Sequence, residues 1–474
     1  MGRIIVALGV LVVVFCGVSS LAAEPPAVQG PLHVFSWSAA PGYLPNITPL
    51  LRITSADKGV AALARASRRV PQGDAALLLW QFDGAYPHGL LHNPEDAART
   101  PDGKLTHYLS PWISHGTARL KAAADHFFHQ YKTDGGRLDY FILDFEDGYC
   151  LRAWQLPVRT VRAIQRDPRS EALAAQLGFH NFLNIKQVQN GAHYFTWNSM
   201  EKRTVDGALN TALFDVARKY YPSVKGCNFG DFILTRRNAV HAPSWNDQPQ
   251  FQYSYVGTAG SPELYGSMGV AVAGDRFGGA KPYGNRPFAI LRWQLNLLRG
   301  IARSSDVPLL PWISSRRFDD KYKPANAFRD SRYYRELIYH TALSGASELF
   351  YFNPKPWLKT QDPADWASNA NDRLVNRLVA RLNRKLGDLP RRAITLAPIP
   401  WNSKVVATGM RITGKGVLWR VTVPPETRAV RVVEAGGGAK TIPLGRGRIG
   451  FWYESRPGQN VTFTPLPRRS PNRR

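Results

Sequence analysis

The sequence predicts an α/β chain in which a (β/α)8-type barrel is followed by a smaller all-β, sandwich-like domain. Three observations predict it. Short apolar runs alternate with stretches of helical periodicity, the pattern changes at Leu389-Pro390, and beyond that point β segments follow one another with glycine turns between them. Strands that alternate with helices pair in parallel, because a parallel pair needs a crossover long enough to hold a helix.

The apolar runs Leu32 to Ser38, Ala75 to Asp83, Leu138 to Glu146, Val224 to Phe229, Val307 to Ser314 and Glu348 to Asn353 read as buried strands. Helical periodicity covers Thr117 to Tyr131, Val158 to Leu177, Asp206 to Tyr220, Phe288 to Arg303, Ser331 to Ser344 and Asn371 to Leu386. Further strands are expected in the glycine-rich stretch Val256 to Gly279, with Met268 to Val272 the best candidate. A closed barrel over residues 30–388 accommodates this count better than an open doubly wound sheet, and no Gly-x-Gly-x-x-Gly turn follows the first strand. Over residues 389–467, Val405 to Thr413, Gly416 to Val423, Ala429 to Glu434, Arg448 to Tyr453 and Val461 to Phe463 read as β segments, with Gly436-Gly-Gly438 as a hairpin turn.

The first 23 residues have the form of a signal peptide: Arg3, an apolar run from Ile4 to Val18, then small residues up to Ala23 and the polar Glu24-Pro25-Pro26. A secreted or periplasmic location is therefore expected, with no integral membrane segment after cleavage. Of 3 cysteines, Cys150 and Cys227 lie beyond the leader, each near a predicted strand end, so the chain is no disulfide framework; one bridge and two thiols are both compatible with the sequence. The formal charge is +26, spread along the chain apart from the basic tail 468–474. For an exported chain this disfavours nucleic acid as a partner; an acidic polysaccharide or an anionic envelope fits, as does a merely basic surface.

The most informative segment is Leu138-Asp-Tyr-Phe-Ile-Leu-Asp-Phe-Glu-Asp-Gly148. Strand alternation puts Tyr140, Ile142, Asp144 and Glu146 on one face, and the two carboxylates fall at the strand's C-terminal end, where barrel enzymes carry their chemistry. Residues two apart on a strand are roughly 6–7 Å apart, so the charge of one carboxylate raises the proton affinity of the other. A protonated carboxyl near neutral pH is what a glycosidic leaving group requires. Salt bridging to arginines and ligation of a divalent metal are the competing readings of the pair.

Aromatics cluster at the predicted strand ends: Trp37, Trp80 with Phe82, Phe145, Trp312, and Tyr351 with Phe352. Flat rings stack on sugars, and equally fill cores. Tyr86, Trp112, Trp197, Trp245 and Trp357 are the loop candidates, and Asp83, at the end of the second strand, reaches toward the same mouth. Arg316, Arg317, Asp319 and Asp320 follow the strand that begins at Val307. His88, His92, His107 and His115 show no metal-ligand spacing, so no metal and no cofactor is implied.

The strand end Leu143-Asp-Phe-Glu146 resembles the Asp-x-Glu signature of the hyaluronidase family and, more loosely, the chitinase-type barrels. The similarity continues in order through Asn228-Phe-Gly-Asp231 and Leu309-Leu-Pro-Trp-Ile-Ser314 to His340–Asn353. The resemblance implies retaining, substrate-assisted cleavage at an N-acetylhexosamine, with Glu146 protonating the leaving oxygen and Asp144 orienting the acetamido group. Phe145 stands where that family usually has a Trp, and the last strand carries Tyr351 and Phe352 instead of a clear Trp. A secreted glycoside hydrolase acting on a polysaccharide is the expectation. A non-catalytic glycan-binding or envelope protein on the same scaffold is the alternative from another class.

Overall fold

The computed structural model describes residues 26–37, 44–79, 82, 93–97, 99, 102–105, 112–145, 166–176, 204–229, 256–265, 287–304, 308–314, 331–352, 368–397, 399–400 and 403–466. Among these the chain is mixed α/β, with parallel sheets formed before residue 352 and antiparallel sheets after residue 390.

The parallel strands are β1 (His33–Ser36), β2 (Ile47–Pro49), β3 (Leu51–Ile53), β4 (Ala76–Leu79), β5 (Tyr140–Leu143), β6 (Lys225–Asn228), β7 (Glu263–Tyr265), β8 (Trp312–Ser314) and β9 (Glu348–Tyr351). They form two sheets, in the orders β2-β1-β9-β8-β7 and β3-β4-β5-β6. Two seams connect the sheets. At one, β2 and β3 are consecutive, separated by Leu50, whose N–H donates to Ser36 O at 2.9 Å. At the other, Thr258 N–H donates to Gly226 O at 2.9 Å, and Gly226 N–H donates to the Thr258 hydroxyl at 3.1 Å. The second seam depends on glycine. A Cβ on Gly226 would lie 1.9 Å from Phe141 O, and one on Gly257, at φ +80°, would lie 2.5 Å from Gly226 O.

Period-2 alternation sorts the strand side chains into two sets. Phe35, Ala76, Leu78, Tyr140, Ile142, Cys227, Trp312 and Phe350 form one core drawn from both sheets. Their neighbours point the other way: Leu77, Leu79, Phe141 and Leu143 onto α1 (Val60–Ser67), α2 (Ser114–Thr133) and α4 (204–220). Val34, Leu349 and Ile313 meet α5 (Pro287–Ser304), α6 (Ser331–Leu343) and α7 (Ser368–Leu386). Strands covered on both sides read as continuous apolar runs, which is how β4 and β5 were visible in the sequence. The helices follow the same logic: α7 buries Val375, Leu378, Val379, Leu382 and Leu386 along one stripe and ends at Gly387, φ +65°.

Several expectations need correcting. β2 and β3, each three residues long, were not predicted; Pro49 is the last residue of β2, where a missing donor is tolerated. The strand within Val256 to Gly279 is Glu263–Tyr265, whereas Met268 to Val272 lies outside the described residues. Of the helix read over Val158 to Leu177, residues 166–176 are described, with α3 at Pro168–Gln176. Within α4 the turn Asn210–Phe214 is π-helical. The leader 1–23, the tail 468–474 and Cys150 lie outside the described residues, and Cys227 is buried in β6. Among the described residues no helix is long and apolar enough to cross a membrane.

The antiparallel sheets have the orders β10-β11-β12-β15 and β14-β13-β16, from β10 (Arg391–Ala393), β11 (Val406–Ile412), β12 (Gly416–Thr422), β13 (Ala429–Glu434), β14 (Ala439–Pro443), β15 (Gly450–Ser455) and β16 (Val461–Leu466). The expected hairpin at Gly436 joins β13 to β14, with Gly436 at φ +76°. The sequence missed β10 and β14. β14 is almost wholly exposed, so it lacks the alternation that betrays a half-buried strand. Val421, Val430, Val432, Phe451 and Phe463 fill the space between the two sheets.

The other face of the four-stranded sheet lies on α6, and its contact is polar as well as apolar. Glu336 of α6 accepts two hydrogen bonds from the Arg420 guanidinium, one of them from Nε at 2.7 Å, and one from the Thr422 hydroxyl at 2.6 Å. His340, one turn on, is fully buried between the hydroxyls of Thr408 (2.8 Å) and Thr422 (2.9 Å). Burial first, then the Arg420 and Arg299 charges, holds its pKa well below 6.5. From α5, Arg292, Asn296 and Arg299 bond backbone groups of Ser403, Ile399, Ala397 and Ala407.

Two outcomes are expected. Arg420→Leu leaves Glu336 buried without its cation and should cost about 3–5 kcal/mol in urea unfolding, whereas the double change with Glu336→Leu recovers most of the loss. His340 is neutral in the folded state and has an ordinary pKa when unfolded, so its contribution is complete above pH 6.5 and is lost as pH falls below it. Stability should drop there by up to about 1.4 kcal/mol per pH unit, and His340→Gln should show a flatter acid limb in the same titration.

Candidate active site

Because the strands run in parallel, their C-terminal ends share one side, and the residues just beyond them form the candidate site. Trp37 follows β1, Arg52 belongs to β3, Asp144 and Phe145 follow β5, Asn228 and Phe229 end β6, Ser314 closes β8 and Phe352 follows β9.

An aromatic column rises through the interior core to this end. Phe35 meets Tyr140 at 4.8 Å and Phe350 at 5.6 Å between ring centroids; Phe350 stacks on Trp312 at 5.1 Å. Trp312 then meets Trp37 edge-on at 5.9 Å and Phe229 at 5.2 Å, and Trp37 meets Phe352 at 5.3 Å. Trp312 is completely buried, yet its indole N–H has no acceptor among the described residues. At the base of the column the Tyr140 hydroxyl donates to Glu348 Oε1 at 2.7 Å; burial first, then the Glu348 charge, pushes that phenol well above its usual range, so it stays a donor.

The polar groups sit above and beside the column. The Arg52 guanidinium lies 4.7 Å over the Trp37 ring and donates from Nη2 to Trp37 O at 2.8 Å. Burial lowers its proton affinity, and the nearby Asp144 carboxylate opposes that shift. Asp144 itself is buried, at 8% exposure, on the same alternation as Tyr140 and Ile142. Next to it the Phe145 peptide is held from both sides by one side chain. Asn228 Oδ1 accepts from Phe145 N–H at 2.9 Å, and Asn228 Nδ2 donates to Phe145 O at 3.0 Å. This clamp fixes the end of β5 against β6. Ser314 ties the ends of β8 and β9 through a 3.2 Å bond to Phe352 O.

Of the predicted site residues, the structure brings together Asp144, Trp37 and Trp312. Glu146, Trp80, Asp83 and Tyr86 lie outside the described residues, as do Trp197, Trp245, Trp357, Arg316, Arg317, Asp319 and Asp320. Tyr351 needs correction. It faces the helices, buried in the core shared with α6 and α7 and bonded to Asp372, so its ring is closed to a ligand at the strand ends. Trp112 carries the Arg169 guanidinium over its ring at 4.4 Å, and His115 is paired with Asp96 and Glu95. Among the described residues no group of three or more metal-ligating side chains occurs. Sequence reasoning missed Arg52 and the clamping role of Asn228. The signal for the latter was a carboxamide at the last position of an apolar strand, level in register with Leu143.

No family model matches the chain, and no curated protein matches it in sequence. Among solved structures, bee venom hyaluronidase is similar at 13% identity over 73% of this chain and 99% of its own, with a TM-score of 0.34. A glycoside hydrolase family 30 subfamily 8 xylanase from Clostridium acetobutylicum is similar at 11% identity over 94% of this chain and 97% of its own, TM-score 0.36. An endo-β1,6-glucanase is similar at 8% identity over 93% and 90%, TM-score 0.35.

Asn228→Ala removes both bonds to the Phe145 peptide and should destabilise the protein by about 1–3 kcal/mol. Asn228→Asp keeps the acceptor but sets an ionised carboxylate against Phe145 O in a buried position, so at neutral pH it should lose at least as much as Asn228→Ala and recover part of the loss as the new carboxyl is protonated; unchanged denaturant midpoints in both variants would count against the clamp.

Proposed function

We propose that this chain is an exported glycoside hydrolase that cleaves a polysaccharide at the strand ends of a (β/α)8-type barrel, with Glu146 as general acid and base. The two parallel sheets are the halves of that barrel over residues 30–388, joined at Leu50 and at the Gly226–Thr258 seam; the interior core they share supports closure. Residues 389–467 form the appended β-sandwich-like domain, and residues 1–23 the leader.

The observation that carries the activity is the clamped end of β5. Asn228 holds the Phe145 peptide on both sides, Asp144 lies buried beside Arg52, and Glu146 is the next residue in the chain. A general acid must keep its position to within a fraction of an ångström, and a rigid strand end does this better than a free loop. In the proposed reaction Glu146 gives its proton to the glycosidic oxygen as the bond to the anomeric carbon breaks. The same group then takes a proton from the incoming water. With an N-acetylhexosamine in the site, Asp144 orients the acetamido oxygen that attacks the anomeric carbon. Trp37 and Trp312, both buried, support the site from beneath, and Trp80, Asp83 and Tyr86 are the proposed sugar-contacting side.

Reducing-end release from neutral, N-acetylated and acidic polysaccharides tests it. Wild type should release ends from at least one class, and Glu146→Gln should lower the rate by about 10²- to 10⁴-fold. Binding without release by both proteins would replace catalysis with glycan binding. Mass spectrometry of the exported protein should find its N-terminus just past Ala22 or Ala23.

A further inference from the structure

A basic groove lies where α6 and α7 meet the four-stranded antiparallel sheet. Two adjoining hollows of about 360 and 490 Å³ share Tyr339 and Trp452 as their floor. Arg381, Arg384 and Lys385 of α7 line one flank, spaced so that all three stand on one helix face. Arg335, Arg446 and Arg448 line the other, the last two on the turn before β15. Glu336 is the one acid lining either hollow among the described residues, and Arg420 already neutralises it. Lys385 has a second carboxylate nearby, Glu454, at 3.6 Å. The last turn of α7 favours cations through the helix dipole, but crowding like charges along both banks of an open channel is unfavourable without a counter-charge.

The floor restricts what that counter-charge can be. Tyr339 is buried and packs on Trp452 at 5.1 Å. Arg420 lies over both rings, at 4.8 and 5.0 Å, and Lys385 stands 5.4 Å from Trp452. With cations already seated on these rings, the floor lacks the open aromatic platform on which successive nucleic-acid bases stack. What remains is a row of guanidinium forks along a shallow channel, which match planar carboxylates bidentately.

We propose that this groove binds a carboxylate-bearing acidic polysaccharide as a second glycan site, separate from the strand-end chemistry and not dependent on it. The test uses the full chain and polygalacturonate, with binding followed by fluorescence anisotropy of the labelled polymer at several salt concentrations. Arg381→Ser with Arg384→Ser changes two exposed positions of α7; Arg65→Ser with Arg69→Ser removes two exposed charges elsewhere. The α7 pair should weaken binding by about tenfold or more and flatten its salt dependence, while the control pair changes it less than twofold. Glu146→Gln should leave binding unchanged, so loss of hydrolysis and loss of this site can be told apart. Equal weakening by both pairs would assign the attraction to diffuse net charge and overturn the proposal. So would unchanged binding in the α7 pair, or tighter binding to duplex DNA or to phosphatidylserine vesicles at equal anionic charge.

Discussion

Strands buried on both faces set the terms for everything else in this molecule. A strand such as Ala76–Leu79 or Tyr140–Leu143 has no side that can be left to water, so each must have a core on one side and helices on the other. The interior side chains are large, and the rings of Phe35, Tyr140, Phe350, Trp312 and Trp37 fill the space between the sheets by edge and offset contacts. Space is then so limited at the Gly226–Gly257 seam that no side chain can stand there. Parallel direction follows from the crossovers, and with it a single end at which Trp37, Asp144 and Asn228 converge.

The candidate site inherits its rigidity from this arrangement. Asp144 and Arg52 are charged groups at the top of an apolar column, in surroundings that strengthen electrostatic interactions relative to water. Asn228 spends its side chain on the main chain of a neighbouring strand, and by doing so fixes the residue that precedes Glu146. The Trp312 indole N–H, fully buried in the same column, has no acceptor among the described residues.

Much of this was legible in the sequence, and the failures have physical causes. The strongly apolar runs gave β1, β4, β5, β6, β8 and β9, because two-sided burial leaves a signal that needs no neighbours to interpret. β2, β3 and β7 each have three residues and, unlike β8, lack a longer flanking apolar run to reveal them. At the site, alternation along Tyr140 to Asp144 was usable because the motif itself fixed the parity. In β9 no such anchor exists: Tyr351, named with Phe352 as a strand-end aromatic, faces the helices, and Phe350 is the ring that meets Trp312. Arg52 could not be found from sequence, since nothing in Leu50-Leu51-Arg52-Ile53 distinguishes it from a strand arginine that reaches solvent. Its role comes from Trp37, 15 residues away in sequence.

The polar contact between α5, α6 and the four-stranded sheet bears on how far this chain is modular. Its sequence changes character at Leu389-Pro390, which invites cutting the chain there to keep the larger part. The cut would leave Glu336 and His340 on α6, and Arg292, Asn296 and Arg299 on α5, without the partners that the later strands and the 397–407 segment provide. It would also uncover the apolar residues of α6 beneath Met410, Ile412 and Leu418. The boundary visible in composition is therefore no boundary in cohesion. A chain cut or re-fused at that junction would have to re-cover both the Glu336–Arg420 pair and the apolar residues around it, so the visible boundary is a poor place to divide the protein.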